Sequence, residues 1–272
     1  VLFTSLIALV LGFFVMLPND LENHAQSAIA TNLFGNNILQ VLTLSNYWAL
    51  SNEYKPLMYT WSLGVEEQFY LIYPLLFMVF TGKRLKFLLP LIVLLTVVSA
   101  LLFFRSTDSL KSFYLLQYRF FELAIGGLGA IVFGNRHISK FWTIPAIFLL
   151  LAGLLTRFNI SRNYYLVMVF DATFLLLVIG SNDSKMRRLL VENTFMVYLG
   201  KIIFSIYMWH QIVMAFARYI FIDHFGYAQS GILIGIMIGL SALTYTLVEK
   251  PFRNAAYIYL NADCSVRWFP CF

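Results

Sequence analysis

The feature that most constrains this chain is a succession of apolar runs, most of them bilayer-length, with charge confined largely to the gaps between. Backbone N–H and C=O groups find no partner in hydrocarbon, so such a chain must satisfy them inside helices or a closed barrel. The runs are continuous rather than alternating, which argues against a barrel and predicts helices. The expected spans are Val1–Leu17, Val65–Thr81, Phe87–Phe104, Phe113–Phe133, Phe141–Leu155, Tyr164–Gly180, Ile202–Ile222 and Gly231–Val248. At ~1.5 Å per residue, most of them approach the ~30 Å of a hydrocarbon core. The predicted fold is all-α, a polytopic integral membrane helix bundle of about eight transmembrane helices.

Of the 272 residues, 60% are hydrophobic and 12% charged, values of a membrane protein rather than a soluble domain. The formal charge of +6 raises nucleic acid as a partner, but no basic run interleaved with aromatics supports it. The cations instead sit in short clusters. Lys83, Arg84, Lys86, Arg136, Lys140, Lys185, Arg187, Arg188, Lys250 and Arg253 fall on one side of the spans. Only Lys55, Arg105, Lys111, Arg157 and Arg162 fall on the other. The richer side is expected to be cytoplasmic, which puts the start of the Val65–Thr81 helix outside.

Val1–Leu17 is apolar from its first residue and lacks the basic region of a signal peptide, so the true start is expected upstream. Asp20–Tyr59 is too polar for hydrocarbon, and Ala25–Leu44 within it is predicted to form an interfacial or re-entrant helix. His24, His137 and His224 fall in loops and are expected to be solvated. Cys264 and Cys271 lie at the end of the tail and say little about redox compartment. No Walker loop, dinucleotide glycine pattern or metal-ligand spacing is visible. Gly126, Gly127 and Gly129 crowd one span, where small residues permit close helix packing.

Thr60–Leu71, reading TWSLGVEEQFYL, is the stretch around which the rest is arranged. Glu66 and Glu67 are adjacent acids at the mouth of a membrane helix, costly unless solvated, paired or used. Helical spacing puts Tyr70 and Tyr73 on the face of Glu66 and Pro74 below Glu67. Pro74 deprives the Tyr70 carbonyl of its helical donor, predicting a kink. The expected result is an acidic, aromatic pocket around Glu66, Glu67, Trp61, Tyr70 and Tyr73. The alternative is an interfacial cap with an aromatic belt.

Other polar residues interrupt the spans. Arg119 and Glu122 share a helix face, either as a structural ion pair or as a site in which Arg119 receives an anionic group such as a donor phosphate. His210 lies mid-span with Tyr207 and Met214 on its face, so it is either packed or part of a polar route. Asp171 stands alone in its span.

Four stretches taken together resemble the membrane acyltransferase 3 family of bacterial glycan O-acyltransferases. They are TWSLGVEEQFYL at Thr60–Leu71, RFFELAIG at Arg119–Gly126, LGKIIFSIYMWH at Leu199–His210 and VEKPFR at Val248–Arg253. The pattern is most similar to lipopolysaccharide and peptidoglycan acetyltransferases, some of which carry a fused extracytoplasmic SGNH-hydrolase-like domain. The resemblance implies a ten-helix domain in the bacterial cytoplasmic membrane. It would take acetyl groups from cytoplasmic acetyl-CoA, with no bound cofactor, and deliver them to a hydroxyl of an extracytoplasmic glycan. Residues 1–253 would be that domain without its first two helices, and 254–272 a tail too short for an SGNH domain. The family's proposed catalytic histidine belongs to the missing first helix, and no residue here matches it. In this frame Glu66 and Glu67 are the candidate catalytic carboxylates. Trp61, Tyr70, Tyr73 and His210 are candidate substrate contacts, and Arg119 with Glu122 the candidate donor contacts. The competing expectation is a transporter or flippase for a lipid-linked glycan, which should show inverted repeats or paired broken helices. A second rival, a non-catalytic envelope assembly protein, would not need the acidic pair.

Overall fold

The computed structural model describes residues 1–43, 52–80, 86–133, 192–221 and 226–253, with the single positions 145 and 148. The expected spans 141–155 and 164–180, Asp171, His137, His224 and the tail with both cysteines lie outside the described residues. Ten α-helices follow one another in these segments. They are α1 (Leu2–Val15), α2 (Pro18–Asn32), α3 (Asn36–Thr43), α4 (Trp61–Val79), α5 (Leu88–Arg105), α6 (Ser109–Tyr114), α7 (Leu116–Phe133), α8 (Thr194–Phe221), α9 (Tyr227–Thr244) and α10 (Lys250–Arg253). Short 3₁₀ turns at Asn52–Tyr54 and Met58–Thr60 lead into α4, and a π-helical turn, Tyr245–Glu249, joins α9 to α10. The protein is an all-α membrane helix bundle. Among the described residues α5, α8 and the continuous Tyr227–Arg253 helix are long and apolar enough to cross a membrane, and α1 is a shorter apolar helix.

The packing is that of a protein in lipid. Helix α1 turns Thr4, Ser5, Ala8 and Gly12 inward and exposes Leu2, Phe13 and Phe14. Small residues on the buried stripe let backbones approach closely where no water drives apolar side chains inward. Helix α5 repeats the design, burying Leu88, Ile92, Thr96 and Ser99 along one face. Ser99 Oγ there accepts from the backbone N–H of Phe121 in α7 at 3.2 Å.

Two expectations about helix boundaries are corrected. Ala25–Leu44 is not one helix but the end of α2 and all of α3, because Phe34 takes a left-handed conformation (φ 56°) before Gly35 and the chain turns there. Phe113–Phe133 is broken at Leu115, which is extended. Asp108 starts the short α6 by accepting from the Lys111 backbone N–H at 3.1 Å, a side-chain N-cap. Helix α4, by contrast, runs on through Pro74 to Val79.

Two apolar clusters divide the described bundle. One joins α1, α2 and α8 through Ala8, Ala28, Trp209, Ile212 and Phe216, with Leu57 beneath them. The other joins α4, α5 and α7 through Phe69, Leu88, Ile92, Phe120 and Ala124. Between them runs a polar seam. Asn36 Nδ2 donates to Leu57 O at 2.8 Å and to Thr60 Oγ1 at 2.6 Å, and Thr60 Oγ1 lies 2.7 Å from Thr31 Oγ1. This seam fixes the entry of the chain into α4, and so the height and rotation of everything α4 carries.

Candidate functional site

The first turns of α4 and α7 face one another across an open recess of about 220 Å³ lined by Trp61, Ser62, Val65, Glu66, Arg119, Glu122 and Leu123. Arg119 is held from several sides. Its Nε donates to Glu122 Oε1 at 2.9 Å and one terminal nitrogen donates to Phe113 O at 3.3 Å. Its guanidinium lies 5.0 Å from the Trp61 ring and 5.1 Å from the Phe113 ring. Those rings pack at 4.7 Å, and Tyr114 meets Trp61 edge-on at 5.2 Å. Cation–π contact is worth about 0.5–2 kcal/mol according to desolvation, so the rings add to what the carboxylate supplies. The ion pair is mostly buried, its side chains only 12% and 18% exposed. Arg119 is thus a fixed positive group whose position depends on α4, α6 and α7 together.

Glu66 lines the same recess, half-buried, and makes no salt bridge or hydrogen bond with a described residue. Ser62, one turn before it, binds Tyr207 of α8 at 2.7 Å between hydroxyl oxygens. The Tyr207 hydroxyl also donates to the Tyr59 carbonyl. A phenol has one proton, so Ser62 is the donor in the first bond. His210 continues the chain: its ring packs on Tyr59 at 5.1 Å and on Tyr207 at 5.7 Å. Its Nδ1 donates to the Tyr207 carbonyl, which is an acceptor only. Hydrogen bonds thus run from Ser62 on the recess through the Tyr207 hydroxyl to the Tyr59 carbonyl, and the His210 ring packs beside both tyrosines.

The other candidates lie elsewhere. Tyr73 stacks on Phe69 at 4.9 Å and turns toward α7, where a Cβ on Gly127 would meet its hydroxyl at 2.6 Å. The glycine expected to serve close packing makes room for one phenol; Gly126 faces open space. Tyr70 is exposed, and neither tyrosine nor Glu67 lines the recess. Pitch explains this. Tyr70 and Tyr73 share the broad face of Glu66 but sit at least one turn farther along α4, beyond the reach of α7's first turn.

Sequence reasoning passed over Gln68. Its Nε2 donates to Phe34 O at 2.8 Å and Asn37 Oδ1 at 2.9 Å, and Asn37 Nδ2 donates to Tyr114 O at 3.1 Å. Gly64 permits this docking, since a Cβ there would lie 2.9 Å from Asn37 Oδ1 and 3.2 Å from Phe34 O. The only signal was an amide within TWSLGVEEQFYL; its partners lie some thirty residues earlier. His24 corrects the expectation of a solvated loop residue: it sits on α2, 4% exposed, edge-on to Phe216 at 6.4 Å.

Residues 1–248 match the family model described as an acyltransferase domain. Curated relatives include O-acetyltransferase OatA of Staphylococcus aureus strains NCTC 8325 and COL, each 23% identical over 253 residues. Those matches take in 81% of this chain and 41% of the relative, so the chain spans well under half the length of either protein. No solved structure matches the chain.

Proposed function

This chain belongs to the acyltransferase 3 family, and on that premise we propose that it transfers an acyl group, of acetyl size, from a cytoplasmic acyl-CoA to a hydroxyl of an extracytoplasmic glycan. The observation that carries the reading is the recess between α4 and α7, where Glu66 and the clamped Arg119 share one wall-lined space. Acyl transfer to a sugar hydroxyl needs a base for the hydroxyl proton, or a carboxylate that orients and charge-stabilises a histidine acting as one. Glu66 takes that part. Arg119, pre-positioned by Glu122 and two rings, receives an anionic group of the donor, a use suited to a guanidinium. Tyr207, hydrogen-bonded to Ser62, and the His210 ring packed beside it set the α8 side of the site.

In this reading the protein is a multi-pass component of the bacterial inner membrane with the Glu66 end of α4 outside. A cysteine at position 52 should then react with an impermeant maleimide added externally, and one at position 253 should not. The decisive measurement is mass analysis of envelope glycans from cells with and without the complete gene. A loss of one acyl group per repeat unit on deletion is the expected result. An unchanged glycan, with the protein present in the membrane of wild-type cells, would overturn the reading.

A further inference from the structure

The α4 wall of the recess presents two oxygens of the same polarity. Ser62 and Glu66 stand four residues apart on that helix, both half-buried, and both line the recess. Such spacing puts two Cβ atoms about 5–6 Å apart on one helix face. Side chains on a helix lean toward its N-terminus, so a glutamate at 66 covers the turn that holds Ser62.

The two side chains nevertheless make no hydrogen bond, and the direction of the protons gives the reason. The single phenol proton of Tyr207 goes to the Tyr59 carbonyl, so the Ser62 hydroxyl gives its own proton to the Tyr207 oxygen at 2.7 Å. Ser62 then has no proton for Glu66. Among the described residues no other N–H or O–H donates to Ser62 Oγ. Toward the recess Ser62 is therefore an acceptor only, as a carboxylate is. Two acceptors stand on one wall with no proton between them.

A group bound along this wall must bring two donors. An ionised carboxylate or phosphate brings none. A lone hydroxyl brings one, enough for Glu66 or for Ser62 but not for both. Two donors on adjacent carbons, a hydroxyl beside a second O–H or N–H, satisfy the pair. A donor on Ser62 also completes a run of three hydrogen bonds with one direction, from substrate to Ser62, to Tyr207, to the Tyr59 carbonyl. The links of such a run polarise and strengthen one another.

We propose that Ser62 determines specificity: it accepts a hydrogen bond from a second donor, a hydroxyl or an amide N–H, on the carbon next to the hydroxyl that Glu66 engages. The inference rests on the acyltransferase reading and deepens it, because it states which hydroxyls the recess takes, those with a donor as neighbour. Tyr207 is a positioning residue that acts through Ser62 by taking its proton. No bond of the transfer changes at either residue. Without the phenol, Ser62 recovers a proton that Glu66 is placed to accept, and both acceptors are lost to the substrate at once.

The test uses cells making the complete gene product at equal membrane levels. Envelope glycans are extracted at mildly acidic pH, which keeps esters from migrating, then analysed by mass for acyl content and by two-dimensional NMR for the acylated carbon. In wild-type glycan the ester should sit on one carbon beside a free O–H or N–H, and the spectrum tells which of the two it is. Ser62→Ala should lower acyl content roughly tenfold and spread the remaining ester over more than one carbon. Ser62→Thr, which keeps the hydroxyl, should hold it to one. Ser62→Cys, close in size but a weak acceptor, replaces Ser62→Ala if that protein does not reach the membrane. Tyr207→Phe should also lower acyl content, and Ser62→Ala/Tyr207→Phe should be no lower than Ser62→Ala. An acyl content unchanged by gene deletion overturns the acyltransferase reading and this inference together. A wild-type ester with no O–H or N–H on either neighbouring carbon overturns the inference alone. So does a Ser62→Ala ester confined to the wild-type carbon, whatever its amount. A double variant lower than Ser62→Ala by the full Tyr207→Phe factor overturns the part given to Tyr207.

Discussion

The recess between α4 and α7, about 220 Å³, and a cavity of about 190 Å³ between α2, α3 and the segment before α4, lined by His24, Gln40 and Tyr54 with Asp20 and Lys55, are nearly equal in size and differ in chemistry. In the recess, charge is abundant and mostly partnered: Arg119 is neutralised by a residue three positions along its own helix and clamped by rings from two other elements. In the cavity, the deepest side chains, His24 and Gln40, come from separate helices, and Gln40 Oε1 has no hydrogen-bond partner among the described residues. Low-dielectric surroundings are handled in two ways here. The most deeply buried charge, Arg119, is paired locally, because an unpaired one at that depth costs several kcal/mol. A neutral dipole can be left open at about 1–3 kcal/mol.

The largest effect is expected from removing Glu66, the recess charge without a partner among the described residues. Glu66→Gln keeps size and hydrogen-bonding capacity but deletes the charge. Glycan acylation by the complete gene product should fall by orders of magnitude at equal membrane levels. Glu67→Gln, outside the recess lining, should cost far less. Near-normal acylation by Glu66→Gln would reduce the recess to a packing feature.

Next in size is Arg119→Ala, which should weaken binding of the acyl-CoA donor about ten- to a hundredfold, the worth of a charge-assisted contact of about 1.5–3 kcal/mol. Isothermal titration with the donor in nanodiscs checks it. Restoration of full affinity in Arg119→Ala/Glu122→Ala would show that the pair matters only as a pair.

A smaller effect tests the seam between the two regions. Gly64→Ala forces a Cβ against Asn37 Oδ1 and the Phe34 carbonyl, and should destabilise the protein by about 1–3 kcal/mol. Gly126→Ala meets nothing within 4 Å on a helix interior and should stabilise by about 0.5–1 kcal/mol. Thermal unfolding in detergent should move in opposite directions for the two.

The smallest expected effect sharpens the cavity side. Burial lowers the His24 value, so the unfolded chain takes up a proton that the folded one refuses. Stability should be flat in this respect above pH 6.5 and decline as pH falls through it, by at most about 1.4 kcal/mol per pH unit. His24→Gln should remove that part of the slope. A slope identical to wild type would place the titration elsewhere, with Asp20 and Lys55 on the same wall the first groups to examine.

The sequence by itself determined that this is an all-α membrane bundle, because continuous apolar runs admit no other solution for buried backbone groups. It also determined the Arg119–Glu122 pair, because three-residue spacing on a helix is a local geometry. Tertiary structure decided which of the α4 residues meet α7. Glu66 and Trp61 do so in the recess, Tyr73 meets Gly127 farther down, and Tyr70 points away. That depends on where α4 begins, which Asn36 and Asn37 settle from far back in the chain. His24 marks the limit most clearly. A histidine among Asp20, Glu22 and Asn23 looks solvated in sequence, yet one face of α2 is turned onto α1 and α8, and it buries the ring. Local pattern specifies how a residue sits on its own helix; only packing specifies what stands opposite it.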